Sequence, residues 1–483
     1  MRTSSYSRIR ATLGACILMA SLVTCATNPV TGKKELSFVS ESQEISMGKE
    51  YAGQVTQEMG VYQNDAVQQY VSTLGKELAA GTERPKLPWT FTVMDDPQVN
   101  AFALPGGYIF ITRGIMTHMN SEAELATVVG HEIGHVTARH SVQQMTRTQL
   151  AQIGLVAGAI ASERIAQNMG AISSGLGVLF LKYGRDDESQ ADALGFRYAL
   201  NDNYDVRHMV DMFKILQRVS GEAGDRIPEW QSTHPDPGNR IEATEARLKR
   251  VTVPLDGKKV GRNEFLRVID GMVFGDNPRQ GYFKDGVFYH PDLAFTLQFP
   301  AGWKTANQTA SVVGVSQAGD AQVQLSLAGK EAPSTTLQKF MSQQGVTAGQ
   351  TSSAAINGNT AAQGTFTAQN QDGSQLSGRV AFVSYNGTTY QLLGLATAAG
   401  ARANSGAISD FIGSFRKLTD QAALNVQPNR IAIVTVPRAM SLRQFNNQYP
   451  SVIELKQLAL INGLDDEDSQ LAAGQLVKRV VAK

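Results

Sequence analysis

The sequence predicts a multi-domain protein with three folded parts: a mainly α-helical domain with a small sheet, an α+β domain on an antiparallel sheet, and a small βααβ unit. The chain has 483 residues, enough for about three domains at roughly 150 residues each. Hydrophobic residues make up 42% and charged residues 18%, which argues against wholesale disorder. Lys and Arg (44) almost balance Asp and Glu (43), so the composition indicates no nucleic-acid partner.

The N-terminal segment 1–25 has the layout of a secretory signal. Three arginines precede an uncharged, largely apolar stretch over 11–24, too short for a typical membrane-spanning helix. The two cysteines are Cys16, inside that stretch, and Cys25, at its end. The segment ending at Cys25 resembles a bacterial lipobox, although Thr24 stands where Ala or Gly is usual. We therefore expect export and a lipid on Cys25; the alternative is an ordinary signal peptide cleaved nearby.

Changes of composition along the chain place the expected boundaries. Past Pro254 charged residues become sparse, and short alternating stretches typical of an antiparallel sheet follow. The final part has the order strand, helix, helix, strand. The expected parts are a leader at 1–25, a helical domain at 26–255, a linker at 256–285, an α+β domain at 286–420 and a small unit at 427–483.

Within 26–255 the hydrophobic spacing predicts two amphipathic helices between 41 and 75, and a β-hairpin over 100–112. A capping box at Ser121 predicts a helix that runs to about residue 144, and a further helix spans about 186–200. The apolar stretch 150–181 is split by charges into runs below the ~20 residues that cross a bilayer. We expect it to form buried or membrane-touching helices.

The informative motif is His-Glu-Ile-Gly-His at 131–135. Residues four apart share one face of a helix, so His131 and His135 can bind one zinc ion. Glu132 can then act as the general base on a zinc-activated water that attacks a carbonyl group. Glycines at 130 and 134 cost helix stability, about 1 kcal/mol each relative to Ala. They indicate that another backbone approaches the helix there.

A catalytic zinc site needs a third protein ligand. Ala138 and Ser141 stand where another large class of zinc proteases has Gly and His, and His140 falls about 140° around a continuous helix from His135. We therefore expect His140 to be a packing or surface residue. Glu188 is the best candidate, because Asp192, one turn further on, can orient a ligating histidine. Two other glutamates, Glu163 and Glu222, lack such a partner.

These motifs resemble the family of zinc metallopeptidases that includes HtpX, BepA and the CaaX prenyl protease, over about 28–251. The quoted segments are Val99–Gly107, His131–His135, Arg185–Asp192, and Thr233-His234-Pro235 followed by Arg240. The resemblance implies a zincin-like (gluzincin) fold and one Zn²⁺ per chain held by His131, His135 and Glu188. It implies Glu132 as base and Asp192 as the carboxylate that orients a ligand. It also implies that the edge strand with Asn100, Ala101, Phe102 and Ala103 binds an extended substrate through main-chain hydrogen bonds.

Two downstream residues keep alternative roles. By the resemblance, His234 either stabilises the oxyanion of the transition state or serves as a fourth zinc ligand that blocks the water position. Arg240 either binds the substrate carbonyl or fixes that loop. Without the resemblance, a His-Pro pair in a loop is usually only a turn.

The two C-terminal parts show weaker resemblances. Phe295–Trp303 is similar to the opening of PsbP/Mog-like domains. The segment 427–483 resembles a LysM module in element order, but Val436–Ser441 replaces the usual Gly-Asp-Thr opening, which puts glycan binding in doubt.

The expected function is an exported zinc endopeptidase, a periplasm-facing lipoprotein of the outer membrane that acts on misfolded or unassembled envelope proteins. One alternative is a chaperone-like binder latched by His234; another is a tether to peptidoglycan through the LysM-like unit. The expected partners are envelope proteins as substrates, the membrane through the N-terminal lipid, and peptidoglycan or assembly machinery. No nucleic-acid partner is expected.

Overall fold

A computed structural model describes residues 24–148, 183–222, 234, 238–308, 310–369 and 374–482. They divide into two compact units. Unit 1 contains Met1–Thr56, Val61–Gly275 and Arg430–Val481, and unit 2 is mainly Asp276–Asn429. The leader up to residue 23, the apolar stretch 150–181 and Glu163 therefore lie outside the described residues. Among the described residues, none of the helices combines the length and apolar character needed to cross a bilayer.

The described helices of the first part of unit 1 agree with the hydrophobic spacing of the sequence. They are α1 (Glu41–Met59), α2 (Asp65–Ala80), α3 (Arg113–His118), α4 (Glu122–Thr137), α5 (Arg185–Asn201), α6 (His208–Glu222), α7 (Gly238–Leu248) and α8 (Arg262–Val268). The predictions of two helices within 41–75 and of one over about 186–200 are confirmed. Helix α8 lies in the expected linker, yet its Phe265 and Leu266 are fully buried in the core of this unit.

Five strands of this part form two small sheets. Strands β1 (Thr24–Thr27) and β2 (Lys34–Ser37) pair with each other. Strands β3 (Thr90–Met94), β4 (Ala101–Leu104) and β5 (Tyr108–Thr112) form a sheet in the order β3-β5-β4. Strand β4 pairs antiparallel with β5, which confirms the predicted hairpin and places β4 at the edge of the sheet.

Helix α4 begins at the predicted Ser121 cap but ends earlier than predicted. The Ser121 hydroxyl accepts a hydrogen bond from the amide of Glu124, and the Glu124 carboxylate accepts one from the amide of Asn120. The predicted end near residue 144 is wrong, because the chain turns at 138–139 before helix resumes over 140–148. Arg139 has a φ of 60°, a left-handed conformation that a continuous right-handed helix cannot contain.

The C-terminal part of unit 1 has the predicted order of strand, helix, helix and strand. Its elements follow those of unit 2 in the chain and are numbered after them. The strands are β17 (Asn429–Thr435), β18 (Met440–Ser441), β19 (Gln470–Leu471) and β20 (Leu476–Ala482), and the two short helices are α12 (Leu442–Gln448) and α13 (Leu455–Ile461). Strand β17 pairs with β20, and β18 pairs with β19. The identity of this part as a LysM module stays a prediction.

One of the contacts between this C-terminal part and the helices of the same unit is a buried lysine. Lys478 of β20 has no exposed surface, and its Nζ donates to the carbonyls of Thr117 (3.0 Å) and Met119 (2.7 Å). Arg218 of α6 also donates to the Leu464 carbonyl. The last strand is therefore hydrogen-bonded to the end of α3 and to the turn that leads into α4.

Unit 2 is the predicted α+β domain on antiparallel sheets. A seven-stranded sheet has the order β12-β13-β14-β15-β11-β10-β9, and a four-stranded sheet has the order β16-β8-β7-β6. The strands are β6 (Tyr282–Lys284), β7 (Val287–His290), β8 (Phe295–Gln298), β9 (Lys304–Asn307), β10 (Ser311–Val315), β11 (Ala321–Gly329), β12 (Val346–Ser353), β13 (Ala361–Gln369), β14 (Gln375–Tyr385), β15 (Thr388–Thr397) and β16 (Arg416–Lys417). Its helices are α9 (Pro333–Met341), α10 (Ala401–Gly413) and α11 (Gln421–Leu424).

Candidate metal and peptidase site

Three glycines allow α4 and α5 to approach at backbone distance. A Cβ atom added to Gly195 would lie 2.7 Å from the amide nitrogen of His131, and one added to Gly130 would lie 3.1 Å from the Cα of Gly195. A Cβ on Gly134 would lie 3.1 Å from the carbonyl oxygen of Ala191. The expectation that another backbone approaches these glycines is confirmed. The close contact brings residues 131–135 next to residues 188–192.

Four buried side chains converge between these helices: His131, His135, Glu188 and His234. Each offers one ligand atom, and these atoms lie within 4.8 Å of one another. Nε2 of His135 is 2.9 Å from Nε2 of His131 and 3.4 Å from a carboxylate oxygen of Glu188. Nδ1 of His234 is 2.8 Å from the same oxygen of Glu188. Two imidazoles with a carboxylate are the donor set that zinc prefers.

Electrostatics favour an ionised Glu188 in this cluster. Burial raises the pKa of the Glu188 carboxyl, but His234, His135 and His131 together lower it well below its ordinary value. Burial also lowers the pKa of His135 well below its ordinary value, so this ring is neutral near pH 7. A carboxylate and a neutral imidazole are the forms that bind a metal ion.

Glu132 lies on the same turn of α4, with 0% of its surface exposed. Among the described residues, neither of its carboxylate oxygens accepts a hydrogen bond, and Oε1 lies 3.7 Å from Nε2 of His234. Burial raises the pKa of Glu132. A raised pKa makes the carboxylate a stronger base, and buried oxygens without a bonded partner point to a water or ion at that place.

The outer ring nitrogen of His131 is held by Asp192 on α5. Nδ1 of His131 lies 2.9 Å from Oδ1 of Asp192. Because a carboxylate oxygen only accepts, Nδ1 of His131 carries the proton. Its Nε2 is left with a lone pair that faces the cluster. Burial raises the pKa of Asp192, but Arg240 and His131 reverse this effect and lower the pKa below its ordinary value.

Arg240 is buried beneath the cluster, with 7% of its surface exposed. Its guanidinium contacts the carboxylates of Asp192 and Glu188 and lies 4.5 Å from the centre of the Phe213 ring. Both predicted alternatives for Arg240, binding the substrate carbonyl or fixing the His234 loop, stay predictions.

His140 is not a surface residue, although its predicted packing role stands. It is 1% exposed, and its Nδ1 lies 2.9 Å from Nδ1 of His135. The expected separation of the two residues around α4 assumed a continuous helix; the turn at Arg139 instead brings the two rings together. Sequence reasoning also missed Tyr183, whose ring stacks on His135 with centroids 4.0 Å apart. The sequence offers no periodic signal for Tyr183, because it precedes α5.

The predicted substrate strand lies close to α4 but outside the four-residue cluster. Strand β4 is at the edge of its sheet, and Asn100, Ala101, Phe102 and Ala103 are all buried. Among the described residues, Oδ1 of Asn100 accepts no hydrogen bond. The predicted lipidation residue, Cys25, lies in β1 and is paired in register with Leu36.

Residues 65–248 match the model of peptidase family M48. A Vibrio cholerae protein described as a beta-barrel assembly-enhancing protease is 30% identical over 254 residues, which cover 50% of this chain and 52% of that protein. The beta-barrel assembly-enhancing protease of Escherichia coli K12 is 27% identical, covering 44% and 46%. The mitochondrial metalloendopeptidase OMA1 of Arabidopsis thaliana is 33% identical over 161 residues, covering 33% and 32%. The chain thus spans about half or less of the length of these three relatives.

Proposed function

Residues 65–248 form a domain of peptidase family M48, and from this premise we propose that the chain is a zinc-dependent endopeptidase. The observation that carries the proposal is the buried group of His131, His135 and Glu188, with the Glu132 carboxyl beside it. Among the described residues, the oxygens of Glu132 and one oxygen of Glu188 accept no hydrogen bond. A metal ion with its water would supply the missing partners of these buried oxygens.

Each residue has a role that follows from its position. His131, His135 and Glu188 would hold one zinc ion per chain, and Asp192 would orient His131. A bound zinc ion supplies Lewis acidity that polarises a peptide carbonyl and acidifies water. Glu132 accepts the proton of the attacking water and passes it to the leaving amine, a role that its raised pKa supports. Arg240 stabilises the pair of carboxylates on α5.

We propose the edge strand β4 as the binding place of an extended substrate segment. Main-chain pairing tolerates many sequences, which suits a protease of unfolded chains. Misfolded or unassembled envelope proteins are the substrate class that we propose, and the beta-barrel assembly in the names of the Vibrio and Escherichia relatives supports it.

The proposal includes export and a lipid on Cys25 that anchors the protein to the outer membrane, facing the periplasm. Support comes from the arginine-rich start, the apolar stretch and the lipobox-like segment. Expression of a Cys25→Ser variant tests it. The variant should move from the membrane fraction to the soluble periplasmic fraction, and unchanged fractionation would contradict the anchor.

Casein cleavage tests the peptidase. Zinc-loaded protein that lacks the leader (1–25) is incubated with unfolded casein beside Glu132→Gln and His234→Ala variants. The exposed Glu50→Gln variant is the matched control. We expect cleavage by the wild type and by Glu50→Gln, and none by Glu132→Gln. Stoichiometric zinc binding with no cleavage by any version would contradict the endopeptidase.

A second candidate is favoured by one observation, the place of His234 within the ligand group. Its Nδ1 lies 2.8 Å from Glu188, where it could act as a fourth ligand and keep the enzyme latched as a chaperone-like binder. Cleavage only by His234→Ala would support the latch. A binder also predicts that Glu132→Gln still suppresses aggregation of an unfolded substrate.

The tether to peptidoglycan is a third candidate, based on the LysM-like element order. Pelleting of the intact chain with purified peptidoglycan tests it. Deletion of 427–483 is a poor control, because it also removes Lys478 from the core of unit 1. Failure of the intact chain to pellet would exclude the tether.

A further inference from the structure

The two ligand histidines of α4 have different partners at their outer ring nitrogens. His131 meets the carboxylate of Asp192 directly. His135 instead meets another imidazole, because its Nδ1 lies 2.9 Å from Nδ1 of His140. The far nitrogen of His140, Nε2, lies 3.0 Å from Oε1 of Gln190, which is half-buried on α5. Gln190, His140 and His135 thus form a chain of two hydrogen bonds.

One proton must lie between the two facing Nδ1 atoms, since a hydrogen bond joins one donor and one acceptor. The amide oxygen of Gln190 can only accept, so Nε2 of His140 carries a proton and donates it. A neutral His140 then has an unprotonated Nδ1, which accepts from Nδ1–H of His135. Nε2 of His135 is left with its lone pair directed toward Glu188 and the ligand group.

We propose that Gln190 sets the ring tautomer of His135 through His140 and thereby prepares His135 to bind the metal. The inference rests on the proposed zinc site. Gln190 is a positioning residue in this arrangement, because two rings separate it from the ligand group. Reversing the Gln190 amide would reverse each bond and place a proton on Nε2 of His135, where it would block metal binding.

The surroundings leave Gln190 as the acceptor for His140. The nearest carboxylate oxygen, Oδ1 of Asp187, lies 4.0 Å from Nε2 of His140, beyond hydrogen-bond distance. The other oxygen of Asp187 accepts from the Gly184 amide and pairs with Arg147. The ring of Tyr183 covers one face of His135, so the ring cannot turn freely to exchange its nitrogens.

The test compares Gln190→Leu with the wild type, and Ser189→Leu on the same helix is the matched control. Histidine ring tautomers are recorded by ¹⁵N NMR on the metal-free full chain, and zinc affinity is measured by competition with a chelator. We expect His135 to be protonated at Nδ1 in the wild type and in Ser189→Leu. In Gln190→Leu we expect a mixture of tautomers and a zinc affinity that is lower by about 10-fold or more.

His140→Phe supplies a second route to the same result, since it removes the acceptor while keeping a ring. It should lower zinc affinity to a similar extent. The inference is overturned if Gln190→Leu leaves both the His135 tautomer and the zinc affinity unchanged. A wild type that binds no zinc would overturn the proposed peptidase instead, and the NMR spectra of metal-free protein would still decide the role of Gln190.

Discussion

The guanidinium of Arg240 donates to both carboxylate oxygens of Asp192, at 2.8 Å to Oδ2 and 2.5 Å to Oδ1. Asp192 also bonds to His131, so a single carboxylate joins a buried cation to a histidine of the proposed metal site. This arrangement keeps Asp192 ionised, since Arg240 lowers its pKa. An ionised partner makes a histidine nitrogen a better metal ligand.

Asp192→Asn should therefore weaken metal binding while the fold is retained. The amide keeps the shape of the side chain but loses the charge that faces Arg240 and His131. We expect zinc affinity to fall by about 10- to 100-fold, measured by chelator competition. Asp186→Asn changes an exposed acid on the first turn of the same helix and should have no effect. Equal zinc affinities of the two variants would contradict this role of Asp192.

Gly195→Ala should separate α4 from α5. The added methyl group would lie 2.7 Å from the His131 amide, and backbone cannot move aside as a flexible side chain can. We expect a loss of about 1–3 kcal/mol in the free energy of unfolding, measured by urea denaturation, together with weaker zinc binding. A Cβ atom added to Gly53 of α1 would have no heavy atom within 4 Å. Gly53→Ala should therefore raise the free energy of unfolding by up to about 1 kcal/mol. Matching curves for both variants would refute the close contact.

Lys478→Met should destabilise unit 1. Thr117 and Met119 would lose the donor to their carbonyls, and Glu124 would lose the nearby lysine. Burial raises the pKa of Glu124 to about 7 and lowers that of Lys478 well below its ordinary value. We expect a loss of about 2–4 kcal/mol in the free energy of unfolding. The exposed Lys249→Met should change it by less than about 0.5 kcal/mol; similar values for both would show that the contact contributes little.

Acid should destabilise unit 1 partly through His118, whose Nδ1 donates to the Gly114 carbonyl. Burial lowers its pKa to about 4, so the unfolded chain takes up a proton below about pH 6.5 while the folded chain does not. The contribution of His118 to the free energy of unfolding is therefore fully present above pH 6.5. It is lost as the pH falls toward 4, by about 1–3 kcal/mol. His118→Gln should reduce this loss in urea unfolding of metal-free protein.

His208→Gln provides a control of opposite sign. Asp211 raises the pKa of His208, so this pair contributes stability below pH 6.5 that is lost as the pH rises through the raised pKa. Removing it should make the acid loss steeper. If the two variants show the same pH dependence, the assignment of the effect to His118 is wrong.

The parts of the site that sequence could predict are those set by local spacing. His131 and His135 share a helical face, and the glycines beside them predicted a close backbone approach that Gly195 provides. Spacing already made Glu188 the best candidate for the third ligand, because Asp192 lies one turn further on, and the family resemblance strengthened that prediction. The element order of the C-terminal part also follows from local patterns.

The rest depends on contacts that no local pattern encodes. His140 was misplaced because the left-handed Arg139 ends α4, and Arg139 is held by the Glu44 carboxylate and the Val39 carbonyl, which lie far back along the chain. The burial of Lys478 likewise depends on Thr117 and Met119, over 350 positions earlier. A lysine in a strand of alternating polar and apolar residues is normally predicted to face solvent. Only its distant partners show that this one is buried.

The discontinuity of unit 1 sets an order for biosynthesis. Its helices are synthesised first, unit 2 follows, and β20 with Lys478 emerges near the end. The hydrogen bonds of Lys478 to the Thr117 and Met119 carbonyls therefore form only after nearly the whole chain has been synthesised. A chain that ended before β20 would leave the Thr117 and Met119 carbonyls without this donor.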